Sequence, residues 1–244
     1  MAKKKGTEVE VVKISLPANI AAEMEAAVKG QAAKTQAPTG DKVKLTKKKT
    51  FKLPDGTETE GPISAVILDF VATNTFHDRP YKDGEASAPA CFAIGEDIAA
   101  LVPSKSSPDV QSKACTGCPN NEFKSKGDGK ACKNGRRMVI VPGVGDAAAD
   151  PNAPMWILDV SPTGLKAFDA YVKTVESQFN KPLCGVVTEI FFDPSSEYQS
   201  LRFGNPALNE NVAVHWPRRA AAKKRLMTEP DVSGYKKPVA GKRK

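Results

Sequence analysis

The strongest strand pattern in the chain is Ile63–Val71, whose sequence ISAVILDFV is rich in β-branched residues and nearly continuous in apolar character. A strand with one buried face alternates apolar and polar residues, whereas a strand covered on both faces does not. The pattern therefore predicts a central strand with packing on each side. Further strands are predicted at Val43–Leu45, Phe51–Leu53, Arg136–Val141, Met155–Val160, Val186–Phe192 and Gln199–Phe203.

One clear helical pattern occupies residues 161–179, where proline follows Ser161 in the first turn. Leu165, Phe168 and Val175 recur at helical spacing and form one apolar face. This helix is therefore expected to pack on the strands. Weaker helical patterns occur at Ser15–Gln31, which has a thin apolar face, and at the basic stretch Arg218–Met227.

The order of these elements favours a mainly β fold, because helices do not alternate with strands as they do in a parallel α/β sheet. We expect a β-barrel of the OB-fold-like type with one packed helix, and the alternative is an α+β sheet. The predicted domain organisation is an N-terminal helix and linker at 1–41, a body at 42–216 that contains an insertion at 89–137, and a basic flexible tail at 217–244.

The insertion is rich in Gly, Pro, Ser, Asn and Lys, and it contains four of the five cysteines: Cys91, Cys115, Cys118 and Cys132. The C-x2-C spacing of Cys115 and Cys118 lets two thiolates bind one tetrahedral metal ion, and the other two cysteines complete a four-thiolate set. A long loop with little apolar surface needs another source of order, which one structural zinc ion would supply. Four protein ligands leave no open position for catalysis. Cys184 is predicted to be a buried core residue.

The overall class follows from what the sequence lacks. It has no apolar run long enough to cross a bilayer and no signal-peptide core, so a soluble cytoplasmic protein without a membrane partner is expected. Thiols stay reduced in the cytoplasm, which favours metal binding over disulfides.

Phosphate-binding loops, zinc-protease motifs and nucleophile motifs are absent, so no enzymatic activity is predicted. Asp69, Asp159 and Asp193 lie at or near strands, but their spacing does not single out a magnesium site.

The net charge of +8 is unevenly distributed. Positive charge is concentrated at 113–137 and 217–244, whereas residues 1–90 are close to balance, with 14 basic and 12 acidic side chains. Clustered cations are typical of polyanion-binding proteins, and neighbouring aromatic rings can stack on exposed bases. The alternative is that the lysines only solubilise a surface loop. The residues predicted to contact nucleic acid are Phe76, Tyr81, Phe123, Lys124, Lys126, Lys130, Lys133, Arg136 and Arg137.

The cysteine segment has a distinctive order: Pro-x-Cys91, then Gln111, then Cys115-x2-Cys118-Pro-Asn-Asn, then Gly-Lys-Ala-Cys132-Lys-Asn and Arg136-Arg137. In this pattern the chain resembles a family of tailed-bacteriophage proteins described as single-stranded DNA-binding or replication-associated. The likeness extends over residues 45–205. Its weaker parts are Ile67–Phe70 with Asn74 and Phe76, Val187–Ile190, and Leu201-x-Phe203.

The resemblance implies a protein that coats single-stranded DNA, independently of its sequence, during phage DNA replication or recombination in the host cytoplasm. It also implies an OB-like body with a zinc insertion and other phage replication proteins as partners. One departure is the end of the chain, Lys242-Arg243-Lys244, where phage single-strand-binding proteins often have an acidic tail. The alternative function is a zinc-stabilised adaptor, a protein-interaction module of a phage replication, transcription or packaging complex.

Overall fold

The computed structural model describes residues 41–79 and 87–237, together with the single positions 17, 20 and 23. The helix and linker predicted within 1–41 therefore lie almost entirely outside the described residues. Asp41–Lys244 forms one compact unit, which begins one residue before the predicted body.

An open antiparallel sheet of six strands forms most of this unit. Strand β4 (Ile63–Phe76) lies at its centre and pairs over nearly its whole length with β6 (Cys132–Pro142). The opposite edge of β4 is shared between two strands, β8 (Val186–Phe192) near its beginning and β5 (Cys91–Gly95) at its end. The outer strands are β7 (Trp156–Val160), beside β6, and β9 (Leu201–Leu208), beside β8.

A smaller antiparallel sheet of three short strands precedes β4. It packs on the large sheet because Phe51 is buried in the same core as Ile67 and Ile190. The backbone N–H of Val43 donates to the carbonyl of Ile157 at 2.9 Å, which ties the start of the unit to the outer strand β7. The three strands are β1 (Lys44–Leu45), β2 (Phe51–Lys52) and β3 (Glu58–Thr59).

Strand β4 is buried on both faces, as its sequence predicts. Ile67 belongs to the core on one face, whereas Val66 and Leu68 belong to the core on the other face. A bulge between Ile67 and Asp69 shifts the register against β6. The prediction of a central, doubly covered strand is confirmed, and the strand continues five residues beyond its predicted end at Val71.

Helices cover the two faces of the sheet. Helix α2 (Leu165–Phe179) buries Phe168, Tyr171 and Val175 in the core that contains Ile67, which we name the first core, and this confirms the predicted packed helix. Helix α4 (Arg219–Leu226) buries Ala222 and Leu226 in the core that contains Val66 and Leu68, which we name the second core. No helix among the described residues is long and apolar enough to cross a membrane. The α-helices between residues 41 and 237 are α1 (Asp146–Ala149), α2 (Leu165–Phe179), α3 (Val212–His215) and α4 (Arg219–Leu226).

The fold is a β-rich α+β architecture, and the strands that the structure describes do not close into a barrel. The outer strands β7 and β9 stand at opposite ends of the strand order and do not pair with each other. The physical reason lies in α4, because this helix covers the second face of the sheet with apolar side chains. A sheet covered on both faces buries its apolar residues without curling around one interior.

The prediction of a flexible tail at 217–244 is wrong for the part that the structure describes. Residues 219–226 form α4, and the chain beyond it remains in contact with the body as far as Lys237, whose amine lies 3.2 Å from Asp109 Oδ1. Tyr235 donates its hydroxyl hydrogen to Asp78 Oδ2 at 2.7 Å. The weak helical pattern at Arg218–Met227 did indicate this helix, but its packing on the body was not predicted, because only Ala222 and Leu226 are buried.

Candidate functional site

The candidate site is built at the end of the sheet where β4 terminates. Phe76, the last residue of β4, is directly opposite Cys91 on one neighbouring strand and Cys132 on the other. Side chains directly opposite each other in antiparallel strands point to the same face of the sheet. The first and last of the four clustered cysteines are therefore brought to one face by strand register, although 41 positions separate them in sequence.

The C-x2-C pair reaches this face through a hydrogen-bonded loop. The backbone N–H of Cys115 donates to the carbonyl of Leu101 at 2.9 Å, and that of Asn121 donates to the carbonyl of Cys118 at 2.8 Å. Gly117, between the two cysteines, has a φ of 73°, a left-handed conformation that favours glycine in the tight turn. All four cysteines are buried, and they line one small cavity with Asn74 and Phe76.

The volume of this cavity is about 20 Å³, which is enough for one ion or one water molecule. Burial, followed by the negative charges that Cys115, Cys91 and Cys118 can carry, raises the pKa of Cys132 to about 12. Burial also raises the pKa of Cys115. Thiolates cannot accumulate in such a pocket unless a cation compensates their charge, and Zn²⁺ bound to cysteines does so.

The fit of a metal ion to the described residues is partial. The four thiols share one cavity of suitable size and chemistry, but no group of three or more Cys, His, Asp or Glu side chains in the described residues is arranged so that it could hold a metal ion as it stands. A tetrahedral site would therefore require the thiol side chains to turn towards a common point within the cavity.

A chain of asparagine side chains frames the cysteine cavity. Asn134 donates from Nδ2 to Asn74 Oδ1 at 2.7 Å and to Asn121 Oδ1 at 2.8 Å. Asn121 in turn donates from Nδ2 to the carbonyl of Cys115 at 2.9 Å. Asn74 is only 7% exposed, so its side-chain amide requires hydrogen-bond partners within the protein. The predicted strand ended at Val71, so the sequence pattern did not place Asn74 in the sheet.

The loop between Cys118 and Cys132, which we name the cysteine loop (119–131), is compact despite its few apolar residues. Ser125 Oγ accepts a hydrogen bond from the backbone N–H of Ala131 at 2.9 Å and donates to the carbonyl of Glu122 at 2.6 Å. Phe123 is 76% exposed, and Lys130 Nζ lies 5.0 Å from the centroid of its ring. The loop thus presents an aromatic ring to solvent with a cation against it.

The structure groups only some of the residues predicted to contact nucleic acid. Phe123, Lys124, Lys126 and Lys130 share the cysteine loop, and Lys133 is exposed immediately after it. Phe76 is half-buried and lines the cysteine cavity, so it does not offer a stacking surface. Tyr81 lies outside the described residues.

Arg136 and Arg137 point to opposite faces of the sheet and are both occupied. The side chain of Arg136 is buried and donates from Nη2 to Asp169 Oδ1 at 3.2 Å, on helix α2. Arg137 donates to the carbonyl of Thr228 at 2.7 Å on the other face. Their prediction as phosphate-binding residues is corrected, because each joins the sheet to the helix on its own side.

The aspartates considered for a magnesium site do not share one. Asp69 is paired with Arg219 at 3.1 Å, Asp159 with Lys42 at 2.5 Å, and Asp193 with Arg202 at 2.6 Å. Asp159 Oδ1 also lies 3.5 Å from Nε of Arg137, so each carboxylate is paired with at least one cation.

A second exposed aromatic ring lies at the segment that leads into α4. Trp216 is 51% exposed, and the guanidinium of Arg219 lies 4.7 Å from the centroid of its ring. Arg219 also lines a cleft of about 470 Å³ with Asp69 and Lys181. Nothing in the sequence around Trp216 distinguishes this position from a core tryptophan.

Comparison of the chain with protein-family models, with curated proteins and with solved structures returned no match. The function is therefore argued from the residues of this chain.

Proposed function

We propose that this protein binds single-stranded DNA through the cysteine loop. The observation that carries the proposal is the exposed ring of Phe123, with Lys130 against it and Lys124 and Lys126 in the same loop. Single-stranded nucleic acids are bound by aromatic rings that stack on bases together with cations that bind the phosphates. Neither interaction depends on base identity, so the binding is independent of sequence.

The pre-organisation of the loop supports this proposal. The hydrogen bonds of Ser125 hold the cysteine loop in one conformation before any ligand arrives. Binding then loses less conformational entropy than it would with a mobile loop. Lysines alone would keep the loop soluble, whereas an aromatic ring that projects into water adds nothing to solubility.

We also propose that Cys91, Cys115, Cys118 and Cys132 bind one structural zinc ion. The support is their shared burial around a cavity of one-ion size, with the thiols turning inwards on binding. When bound, the ion neutralises the thiolates and stabilises the loop. The side chains of Asn74, Asn121 and Asn134 would hold the surrounding backbone in place. The role in phage DNA replication or recombination implied by the resemblance is part of the same proposal.

The adaptor alternative has one observation in its favour. Three aliphatic side chains are exposed on the segment between Cys91 and Cys115: Ile98, Val102 and Val110. Exposed aliphatic residues in one segment are compatible with a protein partner, although single exposed apolar residues are common on surfaces. An adaptor would not bind DNA.

A fluorescence-anisotropy titration with a labelled 20-nucleotide mixed-sequence strand tests the proposed function. The parent protein should bind with micromolar or tighter affinity that weakens steeply as salt is added. Phe123→Leu should weaken binding about fivefold or more without changing the salt dependence, since stacking contributes about 1–3 kcal/mol per base. Phe123→Trp, the matched control, should bind as well as the parent. Absence of binding by the parent at low salt would overturn the proposal.

A further inference from the structure

The hairpin formed by β1 and β2 places like charges directly opposite each other. Lys44 pairs with Lys52 in the antiparallel register, and both side chains are exposed. Lys47 and Lys48, in the turn between the strands, are also exposed. Like charges directly opposite on two strands destabilise a sheet. This arrangement therefore has a stability cost that a bound anion would remove.

Three of these lysines have no ion-pair partner within the described part of the chain: Lys44, Lys48 and Lys52. The acidic residue closest in register, Glu58, faces Lys52 on β3 but accepts a hydrogen bond from Thr50 Oγ1 at 2.5 Å. The carboxylate of Asp193, in the loop that contacts this hairpin, is bound by Arg202 and Ser195. Glu58 therefore keeps its negative charge opposite Lys52 and offsets part of the repulsion there, whereas the carboxylate of Asp193 is paired with Arg202.

The hairpin is held rigidly on the body. Thr46 and Thr50 close the turn through their backbones at 3.0 Å and their hydroxyl groups at 2.6 Å. The ring of Phe51 is buried against that of Phe192, with centroids 4.4 Å apart. Lys49 donates its amine to the carbonyl of Ser196 at 2.5 Å, which fixes the turn to the loop 193–200. The backbone that carries the exposed lysines is therefore held in place before a ligand binds.

An exposed aromatic ring lies on that same loop. Tyr198 is 68% exposed, and its backbone N–H donates to Ser196 Oγ, on the residue whose carbonyl binds Lys49. The loop thus adds an exposed ring to a hairpin that carries several cations, and Lys49 joins the two segments. A surface with both features suits a single strand of nucleic acid, whose bases stack and whose phosphates are anionic.

We infer that Lys44, Lys48, Lys52 and Tyr198 form a second contact surface for the phosphates and bases of single-stranded DNA. This inference rests on the proposed function. The two surfaces lie towards opposite ends of β4. The hairpin is near the first residue, Ile63, because Ile63 pairs with Ile190 of β8 and Phe51 packs on Phe192, two residues further along β8. The cysteines flank the last residue, Phe76. A 14-residue strand spans about 40 Å. At the duplex spacing of about 3.4 Å per nucleotide, roughly 12 nucleotides bridge that distance, and a more extended single strand bridges it with fewer.

The test compares two double variants with the parent in the anisotropy titration, using the same 20-nucleotide strand over a series of salt concentrations. Lys44→Gln/Lys52→Gln should weaken binding roughly tenfold at low salt and reduce the slope of log K against log salt by about 1.4, which corresponds to two phosphate contacts. The matched control is Lys166→Gln/Lys173→Gln on helix α2, which removes the same charge from exposed lysines and should change neither quantity. Tyr198→Ala should weaken binding about fivefold with an unchanged slope.

A stability measurement separates a binding role from a structural one. The Lys44→Gln/Lys52→Gln variant loses both the repulsion between the lysines and the attraction of Lys52 for Glu58, so its thermal midpoint should stay close to that of the parent while DNA affinity falls. If the parent binds and the hairpin variant retains its affinity and salt slope, the inference is overturned and the proposed function stands. An equal loss of the salt slope in the Lys166→Gln/Lys173→Gln control would also overturn the inference, because the effect would then come from the net charge of the protein and not from contacts at the hairpin. If the parent does not bind at all, both proposals fail.

Discussion

The guanidinium of Arg225 lies 2.6 Å from Asp41 Oδ2 and also donates to the carbonyl of Met155 at 2.9 Å. These contacts join the last helix to the first residue of the compact unit and to the segment that leads into β7. The pair is partly exposed, so its own contribution to stability is modest, about 1 kcal/mol or less. Its importance is positional, because it holds α4 over the second core, where Leu226 is fully buried.

Leu226→Ala should lower the free energy of unfolding by about 2–5 kcal/mol, because it removes buried apolar volume between α4 and the sheet. Met227→Ala is the matched control: the neighbouring side chain is 43% exposed, and its removal should cost about 0.5 kcal/mol or less. Urea denaturation followed by circular dichroism measures both. If both substitutions lowered the free energy of unfolding by the same small amount, α4 would not contribute to the fold and the prediction of a flexible tail would hold.

Arg137→Ala should lower the free energy of unfolding by about 1–3 kcal/mol and leave the salt dependence of DNA binding unchanged. Arg137 is committed to the carbonyls of Leu226 and Thr228 and to the carboxylate of Asp159. Lys124→Ala, in the exposed cysteine loop, should do the opposite and reduce the salt slope by about 0.7 without loss of stability. Urea denaturation and a salt-series binding titration of each variant distinguish the two roles. A reduced slope for the folded Arg137 variant would contradict the structural assignment.

The zinc proposal predicts about one zinc ion per chain in protein purified after growth with zinc. Cys118→Ser should lose the metal, whereas Cys184→Ala should keep it, because Cys184 is buried in the second core away from the cysteine cavity. Elemental analysis measures the metal directly. Titration with a thiol reagent should show four additional reactive cysteines after chelation. Zinc retained at the parent level by Cys118→Ser would refute the four-cysteine site.

Stability should fall as the pH drops below about 6.5. Burial, and then the positive charge of Arg218, lowers the pKa of His215, and burial and Lys133 lower that of His77. Asn209 Nδ2 donates to His215 Nδ1 at 3.0 Å, so that nitrogen accepts a hydrogen bond in the neutral ring. The unfolded chain therefore takes up protons near pH 6.5 that the folded protein binds only at lower pH, which favours unfolding in that window.

Urea denaturation between pH 7.5 and 5.5 measures this effect. His215→Gln and His77→Gln should each flatten the dependence of the unfolding free energy on pH, whatever their effect on stability at pH 7.5. The chain has only two histidines, so the double variant should remove most of the slope in this range. A slope that persists in the double variant would assign it to other groups.

Several elements could be predicted from local pattern alone. The unbroken apolar run of β4 indicated a strand with two covered faces, and helical spacing with Pro162 in the first turn indicated the packed helix α2. The grouping of four cysteines followed from their spacing and their loop-rich surroundings, and they line one cavity. Each of these predictions uses residues of a single segment, whose spacing can be read directly from the sequence.

The partners of charged residues could not be predicted in this way. The sequence shows only that Arg136, Arg137 and Lys44 are cationic. The register of the strands and the packing of the helices bring Arg136 to Asp169 and Arg137 to the end of α4. Register also places Lys44 opposite another lysine. Averaging charge over residues 1–90 also concealed the basic hairpin, because acidic residues elsewhere in that range cancel it.

The sequence by itself determined most of the strands and the packed helix α2, where the cysteines cluster and which regions are basic. It did not show that Cys91–Gly95, in the predicted insertion, forms a strand of the large sheet. Only the tertiary structure decided that the sheet stays open, that α4 belongs to the core, and which cations remain available to a ligand. The physical reason is that burial and ion pairing depend on contacts between distant segments. Leu226 is 158 positions from Leu68 in the chain, yet both belong to the same core.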